Sequence, residues 1–334
     1  MNQNTAKNNN YLLKVDDLKT YFAIKKGLLR RTAGYVKAVD GVSFGIEKGK
    51  TLGLVGESGC GKTTVARTLV RLIPATAGRV IFEDSDVLSA NRAKMRQLRR
   101  DISIIFQDPY GSLNPRMTVG NIIGEPLKVQ RGVLGSEMTE QVAELLLKAG
   151  LSPEHMNRYP HEFSGGQRQR IGVARSLAGG PKLVICDEPV SALDVSIQSQ
   201  ILNLLKDLQD EFGLTFLFIA HDLAIIEFFC DIVAVMYMGK IVEQARAQEL
   251  YQNPLHPYTR SLMSAIPKVD TSLRGQERSP FVSEVPSVSD KPAGCLFHPR
   301  CPLAEDNCTK QKPVLERSGG SEEHFVACWK AREK

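Results

Sequence analysis

Residues 51–55 form a short apolar run that ends at a glycine, the pattern of a strand buried on both faces. Residues 63–73 follow with Val65, Leu69 and Leu72 at helical spacing and stop before Pro74. Upstream, residues 12–15 read as a strand, and residues 36–46 alternate apolar and polar side chains as antiparallel strands do. Residues 102–106 predict another buried strand. Residues 109–180 contain no strong strand and read as an inserted helical region, with 141–149 the most regular part. Three more apolar runs, 183–186, 215–220 and 232–237, are separated by helical patterns at 195–212 and 223–229. Strands alternating with helices predict a mostly parallel sheet covered on both faces. Residues 268–294 lose all periodicity, are rich in Ser, Pro, Val and charge, and read as an extended linker.

Composition changes this picture little. The 334 residues are 42% hydrophobic and 24% charged, ordinary for a soluble globular protein. No run approaches the roughly 18 apolar residues of a membrane-spanning helix, and the polar start Met1-Asn2-Gln3-Asn4 lacks the apolar core of a signal peptide. A cytoplasmic protein is expected. The net charge of +6 includes basic clusters at Lys25, Lys26, Arg30 and Arg31 and at Arg92, Lys94, Arg96, Arg99 and Arg100. These fit a solvated loop and helix face, or a contact with lipid headgroups or a membrane partner. No aromatic residues are interleaved with them, which argues against nucleic acid.

The candidate chemistry lies at the ends of the predicted strands. Gly56-Glu57-Ser58-Gly59-Cys60-Gly61-Lys62-Thr63 has phosphate-loop spacing, between a strand and a helix as that motif requires. Its glycines let backbone N–H groups converge on phosphates, and the helix adds its positive end. Lys62 reaches the terminal phosphates, the Thr63 hydroxyl holds Mg2+, and Thr64 lies near the first phosphate. Asp187 ends an apolar strand, where it can orient the metal's waters, and Glu188 follows, where a carboxylate can polarise water for in-line attack. His221 ends the strand at 215–220 and is a candidate sensor of the terminal phosphate. Gln107 ends the strand at 102–106, where its amide can reach the metal or the attacking water.

These elements, with Phe163-Ser164-Gly165-Gly166-Gln167 and Ser191-Ala192-Leu193-Asp194, resemble the ATP-binding subunits of ATP-binding cassette transporters, in that family's order across residues 11–250. The stretches 53–62, 107–115, 159–167 and 253–260 look like the dipeptide and oligopeptide permease type, a pattern shared with nickel and glutathione importers. The resemblance implies an α/β P-loop cassette with a mostly parallel core sheet, an N-terminal antiparallel β subdomain and an inserted helical subdomain at about 109–180. Residues 251–294 would be a C-terminal helix and linker, and 295–330 a cysteine-rich extension. It implies an ATPase that drives peptide import from the cytoplasmic face of the membrane. Its partners would be a second cassette (copy or paralogue), two transmembrane permease subunits and, indirectly, an external peptide-binding protein, with no nucleic acid.

In that family two cassettes pair head to tail, so Ser164, Gly165, Gly166 and Gln167 complete the ATP site of the opposite chain, with Asp194 nearby. The resemblance also implies an aromatic against adenine, here Phe22 or alternatively Tyr21, and Mg2+ held by Thr63, Gln107 and Asp187. A soluble nucleic-acid or ribosome-associated cassette protein is disfavoured, because those usually carry two cassettes or a long insertion.

Seven cysteines are present, and four of them, Cys295, Cys301, Cys308 and Cys328, fall in the last forty residues. A reducing cytoplasm disfavours disulfides, and the spacings are not those of common zinc folds. Free thiols or a metal site remain. Four thiolates satisfy either a [4Fe–4S] cluster or tetrahedral Zn2+, and resemblance to peptide-permease ATPases favours the cluster.

Overall fold

The computed structural model describes residues 10–27, 31–264, 291–318 and 323–332. The polar start, Arg30 and residues 265–290, which include 268–290 of the expected linker, lie outside the described residues. In chain order come β1 (Tyr11–Lys26), β2 (Arg31–Glu47), β3 (Thr51–Val55), α1 (Lys62–Leu69), β4 (Ala77–Phe82) and β5 (Ser85–Asp86). Then follow α2 (Arg92–Asp101), β6 (Ile102–Ile105), α3 (Pro109–Ser112), α4 (Val119–Pro126), α5 (Gly135–Lys148) and α6 (Gly165–Leu177). Next are β7 (Leu183–Asp187), α7 (Val195–Phe212), β8 (Thr215–Ala220), α8 (Leu223–Phe229), β9 (Ile232–Tyr237) and β10 (Lys240–Arg246). The chain closes with α9 (Ala247–Gln252), α10 (Pro257–Ser264), α11 (Asp306–Lys310), β11 (Glu316–Arg317) and β12 (Phe325–Val326).

The chain divides into two compact units. Of the described residues, the first comprises those within 1–14, 45–51 and 80–218, and the second those within 15–44, 52–79 and 219–334. In the first unit, β6 and β7 pair in parallel from Ile102 opposite Leu183 to Ile105 opposite Cys186, with β8 on the far side of β7. All five residues of β7 are buried, which is why its sequence is uninterruptedly apolar up to Asp187. The expected helical region is present as α3 to α6. It carries its own core, in which Leu113, Ile123, Leu146, Phe163 and Ile171 are buried together. β4 and β5 pair antiparallel in this unit, Ile81 opposite Asp86.

In the second unit, β3 pairs in parallel with β9, Leu52 opposite Ile232 and Val55 opposite Val235. β10 runs antiparallel to β9, and beyond it lie β12 and β11. β2 and β1 are neighbours in the N-terminal antiparallel region. Helix α1 ends at Leu69, short of the expected 73, because Arg71 turns into the left-handed region at φ 54° and donates its N–H to Thr68 O. The basic residues of α2 stand on its exposed face while Met95 and Leu98 are buried, as expected of a solvated helix face.

A buried charge cluster fastens the C-terminal strands to this unit. Glu243, fully buried on β10, accepts the N–H groups of Leu255 at 2.7 Å and His256 at 3.0 Å. His324, just before β12, places Nε2 2.7 Å from Glu243 and Nδ1 3.1 Å from Glu249. Burial pulls the His324 pKa down, but the two carboxylates outweigh it and leave it above the ordinary 6.5. His256 is the opposite case. Burial pushes it down to about 4, and its Nδ1 accepts the Tyr258 N–H at 3.1 Å, which requires the neutral ring.

The two histidines therefore bias stability in opposite directions. The His324 contribution is complete below its unfolded value near 6.5 and is lost as pH rises through the higher folded value. The His256 contribution is complete above 6.5 and is lost as pH falls toward 4. Each limb has a slope of up to about 1.4 kcal/mol per pH unit. Urea midpoints measured from pH 4.5 to 8.5 should flatten on the alkaline side in His324→Gln and on the acid side in His256→Gln. Parallel curves for the variants and the parent chain would refute this assignment.

Candidate functional site

Between β3 and α1 the chain forms the expected phosphate loop. Gly56, Gly59 and Gly61 have φ of 152°, 79° and 112°. At two of them the need for glycine is steric as well as conformational. A Cβ on Gly56 would lie 2.1 Å from Met236 O, and one on Gly61 would lie 2.3 Å from Ala38 O. Gly61 caps α1 without any side-chain hydrogen bond, so first-turn N–H groups are presented to an anion. Lys62 is buried, and its Nζ donates to Gly56 O at 2.7 Å and Glu57 O at 3.1 Å. Thr63 and Thr64 follow in the first turn, half-buried. Ser58 is exposed, while the Cys60 thiol is buried beneath the loop and pushed up by that burial.

Glu57 is held from two sides. Its N–H donates to Tyr258 Oη at 2.8 Å, and its carboxylate accepts both guanidinium nitrogens of Arg300, each at 2.8 Å. Neither partner carries a role in the sequence patterns. Tyr258 falls in the 253–260 stretch as a family mark only, and Arg300 sits among cysteines that claim attention for their thiols.

In the same unit the Tyr21 hydroxyl donates to Asp40 Oδ1 at 2.6 Å, and the Lys37 ammonium lies 5.4 Å from the centre of its ring. Burial, then Asp40, pushes the Tyr21 phenol up to about 12. The neighbouring Phe22 is 42% exposed. His221 is exposed between β8 and α8.

The first unit carries the carboxylates. Asp187 is buried at the end of β7. Glu188 follows with φ 50°, a left-handed backbone uncommon for a residue with a side chain. Gln107 Nε2 donates to Glu188 Oε2 at 2.9 Å, so the two strand-end residues meet directly. The Ser191 hydroxyl donates to Glu188 O at 3.1 Å and steadies this turn.

The Ser-Gly-Gly-Gln element opens α6 as a reciprocal cap. Gln167 N–H donates to Ser164 Oγ at 3.3 Å, and Ser164 N–H donates to Gln167 Oε1 at 3.0 Å. Gly166 permits close packing, since a Cβ there would lie 2.6 Å from Ile197 Cγ2, whereas one on Gly165 would make ordinary contact with Leu193 at 3.5 Å. Arg168 anchors the turn, donating from Nε to Pro160 O at 2.7 Å with its guanidinium 3.6 Å from the Tyr110 ring centre. Asp194, grouped above with nucleotide residues, caps α7. It accepts Ile197 N–H at 3.0 Å and the Ser196 hydroxyl at 2.9 Å, and these hydrogen bonds hold its carboxyl below the usual range.

Cys295, Cys301, Cys308 and Cys328 line one cavity of about 20 Å3, together with Phe297 and Trp329. That is room for about one water molecule. Burial and the neighbouring cysteines push the Cys301 thiol up to about 11 and raise Cys295 and Cys328 as well. Among the described residues no group of three or more His, Cys, Asp or Glu is arranged to hold a metal ion. Four cysteines are thus gathered at one small cavity, where a [4Fe–4S] cluster or Zn2+ would draw on their thiolates.

The family described as ABC transporter matches residues 39–191, and the one described as oligopeptide/dipeptide transporter, C-terminal region, matches 242–308. The chain is 51% identical to the oligopeptide transport ATP-binding protein AppF of Bacillus subtilis, over 97% of this chain and 98% of that one. It is also 51% identical to the oligopeptide transport ATP-binding protein OppF of Escherichia coli, over 96% of each. Among solved structures, cbiO1 of Clostridium perfringens, part of an ABC transporter complex, superposes with a TM-score of 0.62 at 28% identity. That match covers 73% of this chain and 92% of the other. The dimeric bacterial ABC transporter cassette MJ0796 gives a TM-score of 0.62 at 26% identity, covering 70% and 98%.

Proposed function

The chain belongs to the ATP-binding subunits of oligopeptide/dipeptide-type ABC transporters, and from that premise we propose that it hydrolyses ATP to drive peptide import. It would act at the cytoplasmic face of the membrane, paired with a second cassette and docked on two permease subunits served by an external peptide-binding protein. Among the described residues no helix is long and apolar enough to cross a membrane, and the transmembrane path falls to those permeases.

The observation that carries hydrolysis is Glu188, held in a left-handed backbone and oriented by the Gln107 amide 2.9 Å away. In this proposal Glu188 polarises the attacking water and His221 contacts the terminal phosphate. The backbone of residues 56–61, the side chain of Lys62, and Thr64 bind the phosphates. Thr63, Gln107 and Asp187 offer hydroxyl, amide and carboxylate oxygens, the hard donors that suit Mg2+. The ion, when bound, neutralises phosphate charge. Phe22 stacks on adenine, a choice supported by its exposure and by the engagement of Tyr21 with Asp40. Ser164, Gly165 and Gly166 serve the nucleotide of the opposite cassette, where the positive end of α6 faces phosphate. Gln167 and Asp194 act there by shaping their turns through the caps they form.

The four-cysteine cavity is proposed as the site of a [4Fe–4S] cluster, with Zn2+ the alternative. It rests on the convergence of the four cysteines on one cavity. The test is co-purification with the permease subunits in vesicles. ATPase activity should rise on adding a peptide-loaded binding protein, and iron, sulfide and zinc analysis of the same anaerobic sample reads the thiol site. Stimulation by nickel or glutathione carriers alone would reassign the cargo, and absence of ATP turnover would overturn the function.

A further inference from the structure

Arg300 lies in the short turn His298–Arg300, and its side chain is only 7% exposed. Among the described residues its acidic partner is Glu57, the second residue of the phosphate loop, gripped by two parallel hydrogen bonds of 2.8 Å. The guanidinium is seated among aromatic rings, 5.9 Å from the centre of Tyr237 and 5.7 Å from that of Phe297. Tyr258, which accepts the Glu57 N–H, packs 4.6 Å from Tyr237 and 5.4 Å from Phe297. One aromatic cluster thus holds Glu57 by both its backbone and its carboxylate. The carbonyl of Glu57 in turn accepts from Lys62 Nζ at 3.1 Å.

A carboxylate in a loop built to receive a triphosphate is an electrostatic liability. It repels the ligand, and it competes for the ammonium of Lys62. A buried, forked arginine is the group best suited to neutralise a carboxylate and fix its direction. We propose that Arg300 is a positioning residue for nucleotide binding. By neutralising and pinning Glu57 it keeps the phosphate loop receptive to a polyanion, so the C-terminal extension takes part in setting ATP affinity. This deepens the ATPase proposal and rests on it for the identity of the ligand.

The test uses the full chain reconstituted with its membrane subunits, with equilibrium binding of a fluorescent ATP analogue measured beside steady-state turnover. Arg300→Ala should weaken binding and raise KM by about tenfold at low salt, with kcat changed about twofold or less. The defect should shrink in about 1 M salt, where charge repulsion is screened. Arg300→Lys keeps the charge but not the fork and should fall between. The double variant Glu57→Gln/Arg300→Ala should recover most of the lost affinity, because no unpaired carboxylate remains. Glu57→Gln alone, which keeps shape and folding, should bind ATP more tightly than the parent, because the repelling carboxylate is gone.

A merely structural dock for the extension would give neither salt dependence nor recovery in the double variant. Unchanged affinity in Arg300→Ala, or equal losses in the single and double variants, would overturn the proposal. Should Arg300→Ala not fold, Glu57→Gln decides, since weaker binding there contradicts the charge argument. The binding measurement judges Arg300 even if turnover is absent, an outcome that would instead refute the ATPase assignment.

Discussion

Glu188→Gln is expected to reduce ATP turnover by about 10²–10⁴-fold while leaving ATP binding intact, the range removed with a general base. The substitution is nearly isosteric. The new side-chain carbonyl can still accept the Gln107 amide that now donates to Glu188 Oε2 at 2.9 Å. The left-handed backbone at φ 50° is no harder for glutamine than for glutamate, so the turn should survive. What disappears is the negative charge that polarises water. In a head-to-tail pair, ATP that cannot be cleaved should hold two cassettes together. Phosphate release and size-exclusion chromatography with ATP read the two halves of the expectation. Turnover at the parent rate would remove Glu188 from its role and shift attention to His221.

Gly61→Ala should abolish nucleotide binding, with affinity falling by about a hundredfold or more. A Cβ there would lie 2.3 Å from Ala38 O and 2.9 Å from Met236 Cε, and the residue sits at φ 112°. Neither a backbone carbonyl nor the loop can yield without moving the first turn of α1. The strain itself costs about 1–3 kcal/mol. Gly59→Ala is the internal control. Its φ is 79°, but no atom lies within 4 Å of the added methyl. Only the conformational cost of about 1–2 kcal/mol applies there, and binding should persist. Titration with a fluorescent nucleotide separates the two. Equal affinities for both variants would mean that loop geometry does not govern binding.

The parts of the molecule legible in the sequence are those written in continuous local patterns. The apolar runs at 215–220 and 232–237 and the helical spacing at 195–212 and 223–229 coincide with β8, β9, α7 and α8. Each is bounded by a glycine, an acidic cap or a change of period. The edge of the second unit's sheet was not legible. β10 carries a fully buried glutamate, Glu243, at a position where a strand pattern calls for an apolar residue. β11 and β12 have two residues each, too few for any periodicity.

The same limit explains the site. Motif spacing marks Lys62, Asp187 and Glu188 as candidates, but Asp194 looks alike in a sequence whether it faces a ligand or caps a helix. The choice between Tyr21 and Phe22 turns on Asp40, which no local pattern ties to Tyr21. Arg300 and Glu57 are 243 positions apart, and a pair of that separation leaves no periodic trace. The four clustered cysteines were legible, yet their spacing does not encode whether their thiols close on a ligand.

The distance between Glu57 and Arg300 also sets an order of assembly. At ribosomal rates of roughly 5–20 residues per second, Arg300 is synthesised roughly 10–50 s after Glu57. Through that interval the nascent chain carries Glu57 without the arginine that grips its carboxylate. Phe325 and Val326, which add the strand beside Glu243 and Gln244, come later still. Glu57 is thus joined to its arginine only after the 243-residue interval between them has been made.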